Sequence, residues 1–286
     1  MAKVTSIRMQ RFSPDAHEET PDLLAVEEPL EIRLGYGPAS DRQQRSLSVT
    51  MRTPGADFDL TLGFLLTEGI IHSTADVRSI QHCTDAGRQA TENIVRVELQ
   101  PEIAFDWAQV ERHFYATSSC GVCGKASIEA VRSTACPVPD STFQVSEELI
   151  YSLPQRLHAQ QHGFAHTGGL HAAGLFNAQG ELLLVREDVG RHNALDKLIG
   201  AALQRGWVPL RDGLVLVSSR ASFELVQKSV VAGIPVLAAV GAPTSLAVEL
   251  AREAGLTLLG FVRDRRFNVY AGTDRIRYLT PVSDSQ

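Results

Sequence analysis

The stretch LVLVSSRASFELVQKSVVAGIPVLAAV, residues 214–240, decides how the second half of this chain folds. Leu214-Val215-Leu216-Val217 and Val236-Leu237-Ala238-Ala239-Val240 are unbroken apolar runs, the pattern of strands buried on both faces. Between them Ser222–Ala232 has helical spacing, and Gly233 supplies the stop. Strand–helix–strand alternation predicts a parallel sheet with right-handed crossovers. Downstream, a helix over Thr244–Ala254, closed by Gly255, and a strand over Leu256–Val262 repeat the unit. Upstream, His171–Phe176 and Glu181–Arg186 flank Asn177-Ala178-Gln179-Gly180 as a hairpin. A helix over 193–205 follows, with Asn193 as its cap and Gly206 as its stop. Residues 137–286 therefore read as a three-layer α/β domain.

The first half is less regular. Residues 1–26 read as a poorly ordered lead-in, being polar with Pro14 and Pro21 and few apolar anchors. Residues 27–136 read as a smaller α+β domain. Leu47–Arg52 is a strand ended by Thr53-Pro54-Gly55; Phe58, Leu62, Leu65 and Leu66 share a helical face closed by Gly69; Asn93–Leu99 alternates as a half-buried strand. A short helix after Trp107 leads into a glycine-rich loop, and Cys136-Pro137-Val138-Pro139-Asp140-Ser141 reads as a linker. Beyond it Ser146 caps a helix carrying Leu149, Ile150, Leu153 and Leu157, with Pro154 as a kink or break.

Bulk composition narrows the function. The 286 residues are 44% hydrophobic, enough for a large core, and the formal charge of −6 argues against nucleic-acid binding by the whole surface. No stretch approaches the roughly 18–20 apolar residues that cross a bilayer, and the amino terminus lacks the apolar region of a secretory signal. Cys83, Cys120, Cys123 and Cys136 are too few for a disulfide scaffold in a chain this long. The expectation is a cytoplasmic protein with functional thiols, no membrane partner and no nucleic-acid partner.

In a parallel sheet the loops leaving the carboxyl ends of the strands share one edge, where open α/β folds bind ligands. Here those loops are Glu187–Asn193, Ser219–Ser222, Gly241–Ser245 and Arg263–Arg266. Three of them open helices, whose free N–H groups suit anions, and Arg191, Arg220, Arg263, Arg265 and Arg266 add forks suited to phosphate. Ser219, Ser222, Thr244 and Ser245 can add hydrogen bonds, although taken singly such residues are most often plain helix caps. Asp188 and Asp196 can cap the 193–205 helix or pair with Arg191 and Lys197. His166 and His171, flanking Thr167-Gly168-Gly169-Leu170, are either structural or site-lining. No Gly-x-Gly-x-x-Gly or Walker-type loop occurs, so the usual dinucleotide and ATP motifs do not account for this edge.

The segment Ser118-Ser119-Cys120-Gly121-Val122-Cys123-Gly124-Lys125 carries the other chemistry. Positive charge and oriented N–H groups lower a thiol's pKa, and the thiolate is the nucleophile. A structural zinc site wants a second close pair of ligands, and Cys83 and Cys136 are single. A thioredoxin-like role wants the motif at a strand-to-helix junction of a small βαβ domain. A zinc deaminase wants His-x-Glu and then Pro-Cys-x-x-Cys, and residue 119 is serine. Sulfur carriage remains: a thiolate takes the terminal sulfur of a donor persulfide by exchange.

Several segments together resemble the formate dehydrogenase accessory sulfurtransferases, the FdhD family. They are Glu28-Pro29-Leu30, Leu62-Gly63-Phe64, Thr67–Ile71, Cys120–Gly124, Thr167–Ala173, Glu187–Lys197, Ser218–Ser222 and Leu256–Phe261, and the similarity spans about residues 27–272. The resemblance implies a sulfurtransferase that takes sulfur from a cysteine desulfurase and passes it to the metal of a molybdenum-bis(molybdopterin guanine dinucleotide) cofactor, activating formate dehydrogenase. Cys120 would carry the persulfide with Cys123 as its partner. The cofactor segment maps onto Phe261, Val262, Arg263, Asp264, Arg265 and Arg266, joined at the sheet edge by Arg191, His192, Ser219 and Arg220. GDP-like nucleotides would mimic the bound cofactor; no resident metal is implied. The resemblance further implies a cytidine-deaminase-like C-terminal domain without zinc ligands, and a homodimer. One departure is Asp264-Arg265, where the family often has glycine or proline. The competing accounts are a non-enzymatic cofactor-binding chaperone, whose cysteines grip a partner, and a thiol oxidoreductase.

Overall fold

The computed structural model describes residues 3–83, 92–103, 105, 107 and 142–278. At the amino terminus β1 (Val4–Ser13) and β2 (Ala16–Ala25) pair antiparallel from Val4↔Ala25 to Ser13↔Ala16. This overturns the lead-in read from the sequence. The ribbon has few buried side chains, so no apolar pattern announces it; a two-residue turn at Pro14-Asp15 and backbone pairing make it. Next come β3 (Glu28–Tyr36), β4 (Gln43–Arg52), α1 (Asp57–Thr67), β5 (Val77–His82) and β6 (Ile94–Leu99). The four strands form one sheet in the order β4-β3-β6-β5, with β3 and β6 parallel and the other pairs antiparallel.

The carboxyl-terminal half contributes β7 (Val145–Ser146), α2 (Glu147–His158), α3 (His162–Thr167), β8 (His171–Phe176), β9 (Leu182–Asp188) and α4 (Arg191–Gln204). Then follow β10 (Leu214–Val217), α5 (Phe223–Val231), β11 (Val236–Ala239), α6 (Ser245–Glu253), β12 (Thr257–Arg263), β13 (Arg266–Ala271) and β14 (Ile276–Arg277). The main sheet has six strands ordered β13-β12-β11-β10-β8-β9. The predicted parallel sheet holds for β10, β11 and β12; β8 and β13 run the other way. The reason is local: tight hairpins join β8 to β9 and β12 to β13, and such connections force antiparallel pairing. Because β9 reverses again on β8, its carboxyl end rejoins the edge where β10, β11 and β12 finish.

Helix α2 covers one face of this sheet. Ile150, Leu153 and Leu157 pack there with Phe176, Leu216, Val236 and Leu259. Ser146 caps it as expected, accepting from the Leu149 N–H at 3.3 Å, and the helix runs unbroken through Pro154. Helices α4, α5 and α6 cover the other face. Their core is continuous with Leu30, Ile32, Val95 and Leu65 of the first half, so the two units read from the sequence share one apolar interior. The joint is α1 on α4. A Cβ on Gly63 would lie 1.9 Å from the Asp196 carbonyl oxygen, and one on Gly200 would lie 1.8 Å from that of Asp59. Only glycine permits this approach.

Candidate functional site at one sheet edge

Four residues of the Glu187–Lys197 string build the joint between the halves. The buried Asp188 carboxylate accepts from the Thr53 N–H (3.1 Å), the Gly190 N–H (2.8 Å) and Asn193 Nδ2 (3.2 Å), and pairs with Lys197 Nζ at 2.7 Å. Lys197 also donates to the Thr53 carbonyl at 2.7 Å. Asp196 pairs with Lys228 at 2.9 Å and accepts from the Thr67 hydroxyl at 2.9 Å. Burial opposes the charge on Lys228, but Asp196 and Glu68 outweigh it and raise the ammonium's pKa. Asn193 is not the helix cap the sequence suggested. The helix begins two residues earlier, after Gly190, and Asn193 donates to the Met51 carbonyl (2.8 Å) as well as to Asp188. Glu187 accepts from the N–H groups of Gly163 and Phe164, each at 2.8 Å.

This joint holds the edge above it. Helices α4, α5 and α6 all begin at the end of the sheet where β9, β10 and β11 finish, and none has a side-chain cap among the described residues. The common fate of Ser222 and Thr244, capping their own helices, is not realised. Instead the Ser222 hydroxyl meets His192 Nε2 at 3.3 Å, and Ser219 donates to the Arg220 carbonyl at 3.0 Å. Three sets of free N–H groups and dipole ends therefore converge on one edge, where anions are favoured. Arg191, at the first position of α4, has a buried Nε with no hydrogen-bond partner among the described residues. Arg220 is exposed.

The imidazoles contribute no charge here. Burial, then the charges of Arg191 and Lys228, push His192 down to about 4. Burial and Arg191 also lower His171. Both are neutral hydrogen-bonding groups at pH 7, and the positive charge belongs to the arginines. Behind His192 lies a cavity of about 260 Å³ between β4, α1, α4 and α5.

The predicted residues do not form a single cluster. Arg191 and His192 sit at the start of α4 facing the start of α5. Ser219, Arg220 and Phe261 are linked through Gly241, which donates to the Ser219 carbonyl (3.1 Å) and accepts from the Phe261 N–H (3.0 Å). Phe261 adopts φ 54°, a conformation bulky residues rarely accept, within an irregular stretch of β12. Val262 is fully buried in the core beneath α2, so it supports the segment rather than facing a ligand. Arg263, Asp264, Arg265 and Arg266 form the exposed turn between β12 and β13, with Arg263 opposite Arg266 and Asp264 and Arg265 both at positive φ. Arg265 leans toward α2, 3.9 Å from Glu148 and over the Tyr151 ring. Cys120 and Cys123 lie outside the described residues, as does the 136–141 linker. Sequence reasoning missed Thr53 and Thr67, whose role depends on a fold partner more than 120 residues away; no local pattern could have signalled it.

A model of the FdhD/NarQ family matches residues 25–277. The curated "Sulfur carrier protein FdhD" of Streptomyces coelicolor is 52% identical over 281 residues, covering 96% of this chain and 97% of the relative. Its namesake from Mycolicibacterium paratuberculosis is 54% identical over 260 residues, covering 90% and 92%. The one from Saccharolobus solfataricus is 41% identical over 276 residues, covering 94% and 99%. A crystal structure described as that of a formate dehydrogenase accessory protein from Desulfotalea psychrophila superposes with a TM-score of 0.74 at 24% identity, covering 96% of this chain and all of the other. That likeness shows the fold.

Proposed function

This chain belongs to the FdhD/NarQ family, and from that premise we propose that it is a sulfurtransferase serving the molybdenum cofactor of a formate dehydrogenase. Cys120 thiolate attacks the terminal sulfur of a cysteine desulfurase persulfide; the new S–S bond forms on Cys120 and the donor leaves as a thiolate. Cys123 then attacks the Cys120 sulfur, closing a disulfide and releasing sulfide to the metal of the bound bis(molybdopterin guanine dinucleotide). The cofactor is the substrate of the reaction. Its nucleotide phosphates lie across the sheet edge, against Arg191, Arg220 and the uncapped starts of α4, α5 and α6.

The observation that carries this reading is the orphaned Arg191 Nε beside three uncapped helix starts. Buried N–H donors are normally satisfied, and an anion from outside the chain would satisfy this one. The relatives named as sulfur carriers support the cysteine chemistry. Among the described residues no helix is long and apolar enough to cross a membrane. We place the protein in the cytoplasm as a homodimer.

The test is intact-mass spectrometry after incubation with a cysteine desulfurase and free cysteine. A mass gain of one sulfur, localised to Cys120 and absent from Cys120→Ala, is expected. An unmodified chain would favour a protein that only holds the cofactor.

A further inference from the structure

The amino-terminal ribbon is long and bare. Neither β1 nor β2 has a buried residue, and ten residues of strand extend about 34 Å. Its base is tied down: the Val26 N–H donates to the Lys3 carbonyl at 3.0 Å, and β2 packs on α3. A two-stranded hairpin alone in water is at best marginally stable, so the rest of this one calls for cover.

The register shows which face is free. Residues directly opposite across the ribbon share a face, and every second residue along a strand joins them. From base towards tip one face carries the levels Ser6–Leu23, Arg8–Pro21, Gln10–Glu19 and Phe12–His17. All of these are exposed, whereas Met9, Thr20 and Asp22 on the opposite face are half-buried. The free face is apolar near its two ends and charged in the middle. Phe12, 71% exposed, stacks on His17 with ring centroids 4.6 Å apart; Leu23, 38% exposed, lies nearer the base. Between them Arg8 and Glu19 approach to 3.4 Å.

This order is complementary to itself under a two-fold axis. A second ribbon is laid antiparallel over the first, with the axis between the Arg8–Pro21 and Gln10–Glu19 levels. Each Phe12–His17 level then meets the partner's Ser6–Leu23 level, and each Arg8 comes within reach of the partner's Glu19. Moving the axis onto either central level sets Arg8 against Arg8 or Glu19 against Glu19, so charge fixes the register. The antiparallel overlay also keeps the two bodies at opposite ends.

We infer that the ribbon is a docking arm for a second copy of this chain, and that this face meets itself in the dimer. The inference rests on the homodimer placed above and adds the surface that forms it. Phe12 against the partner's Leu23 supplies the apolar anchor at each end, and the central charges supply the alignment.

Sedimentation of the intact chain against Phe12→Asp and Leu23→Asp tests this. Each variant should weaken the dimer about tenfold or more while its thermal unfolding stays as in wild type, both side chains being exposed. A photoreactive benzoylphenylalanine at position 12 of the otherwise wild-type chain should cross-link to the Leu23 region of a second copy. A dimer of undiminished affinity in both variants, or a cross-link confined to another surface, overturns the inference and leaves the homodimer to a different face. A wild-type chain that sediments as a monomer at every concentration overturns the homodimer itself.

Discussion

His192 shows how burial converts a titratable group into a fixed hydrogen-bonding one. Its folded pKa of about 4 lies below the ordinary 6.5, because burial and the neighbouring Arg191 and Lys228 disfavour the imidazolium. The unfolded chain therefore takes up a proton first as pH falls through about 6.5, and stability is lost between there and pH 4. His192→Gln should flatten that part of the stability–pH curve, measured by urea unfolding from pH 7 to 4. An unchanged slope would show that His192 is not buried neutral. The pair Asp188–Lys197 is a matter of partnership rather than titration: Lys197→Met strands a buried carboxylate and should cost about 3–5 kcal/mol in the same assay. The sequence presents Asp188, Asn193 and Asp196 as candidates for capping or pairing. Which partner each takes was not legible, because Thr53 and Lys228 arrive through the fold.

At the scale of elements, the β12–β13 turn joins a stability question to a binding one. Two-residue hairpins of this kind want positive φ at both central residues, and glycine is the favoured second residue; here Asp264 and Arg265 hold φ 52° and 54°. Arg265→Gly should stabilise the chain by about 0.5–1 kcal/mol, read as a raised urea midpoint. If Arg265 grips phosphate, the same variant should bind GDP several-fold more weakly; unaltered affinity would remove Arg265 from the site and leave the role to Arg191 and Arg220. Most helices and strands of the second half were readable from apolar runs and glycine stops at 233 and 255. The β13 strand and the amino-terminal ribbon were not. Both are amphipathic or polar edges, held by backbone pairing that leaves little trace in composition.

Across the whole molecule, the decisive contact is invisible to local reading. Gly63 and Gly200 are unremarkable within their helices, yet together they bring α1 against α4 and merge two apparent domains around one interior. Gly200→Ala should cost at least about 1–3 kcal/mol, the usual penalty of overpacking, and should loosen the Asp188–Lys197 and Asp196–Lys228 pairs that span the joint. Unchanged thermal unfolding would mean that the helices can slide apart without loss. Because the loops of the candidate edge spring from that joint, any phosphate affinity of the proposed site should fall with it. The edge was legible because every strand end carried an arginine, a hydroxyl or a helix start; which of those loops meet emerged only once the strands were ordered.

The most direct test is a single-turnover transfer experiment. The chain is loaded with radiolabelled sulfur by a cysteine desulfurase, repurified, and mixed with formate dehydrogenase carrying unsulfurated cofactor. The label should move from Cys120 to the cofactor as formate oxidation appears, with neither event in Cys120→Ala. Full activation of the dehydrogenase by Cys120→Ala would contradict the account.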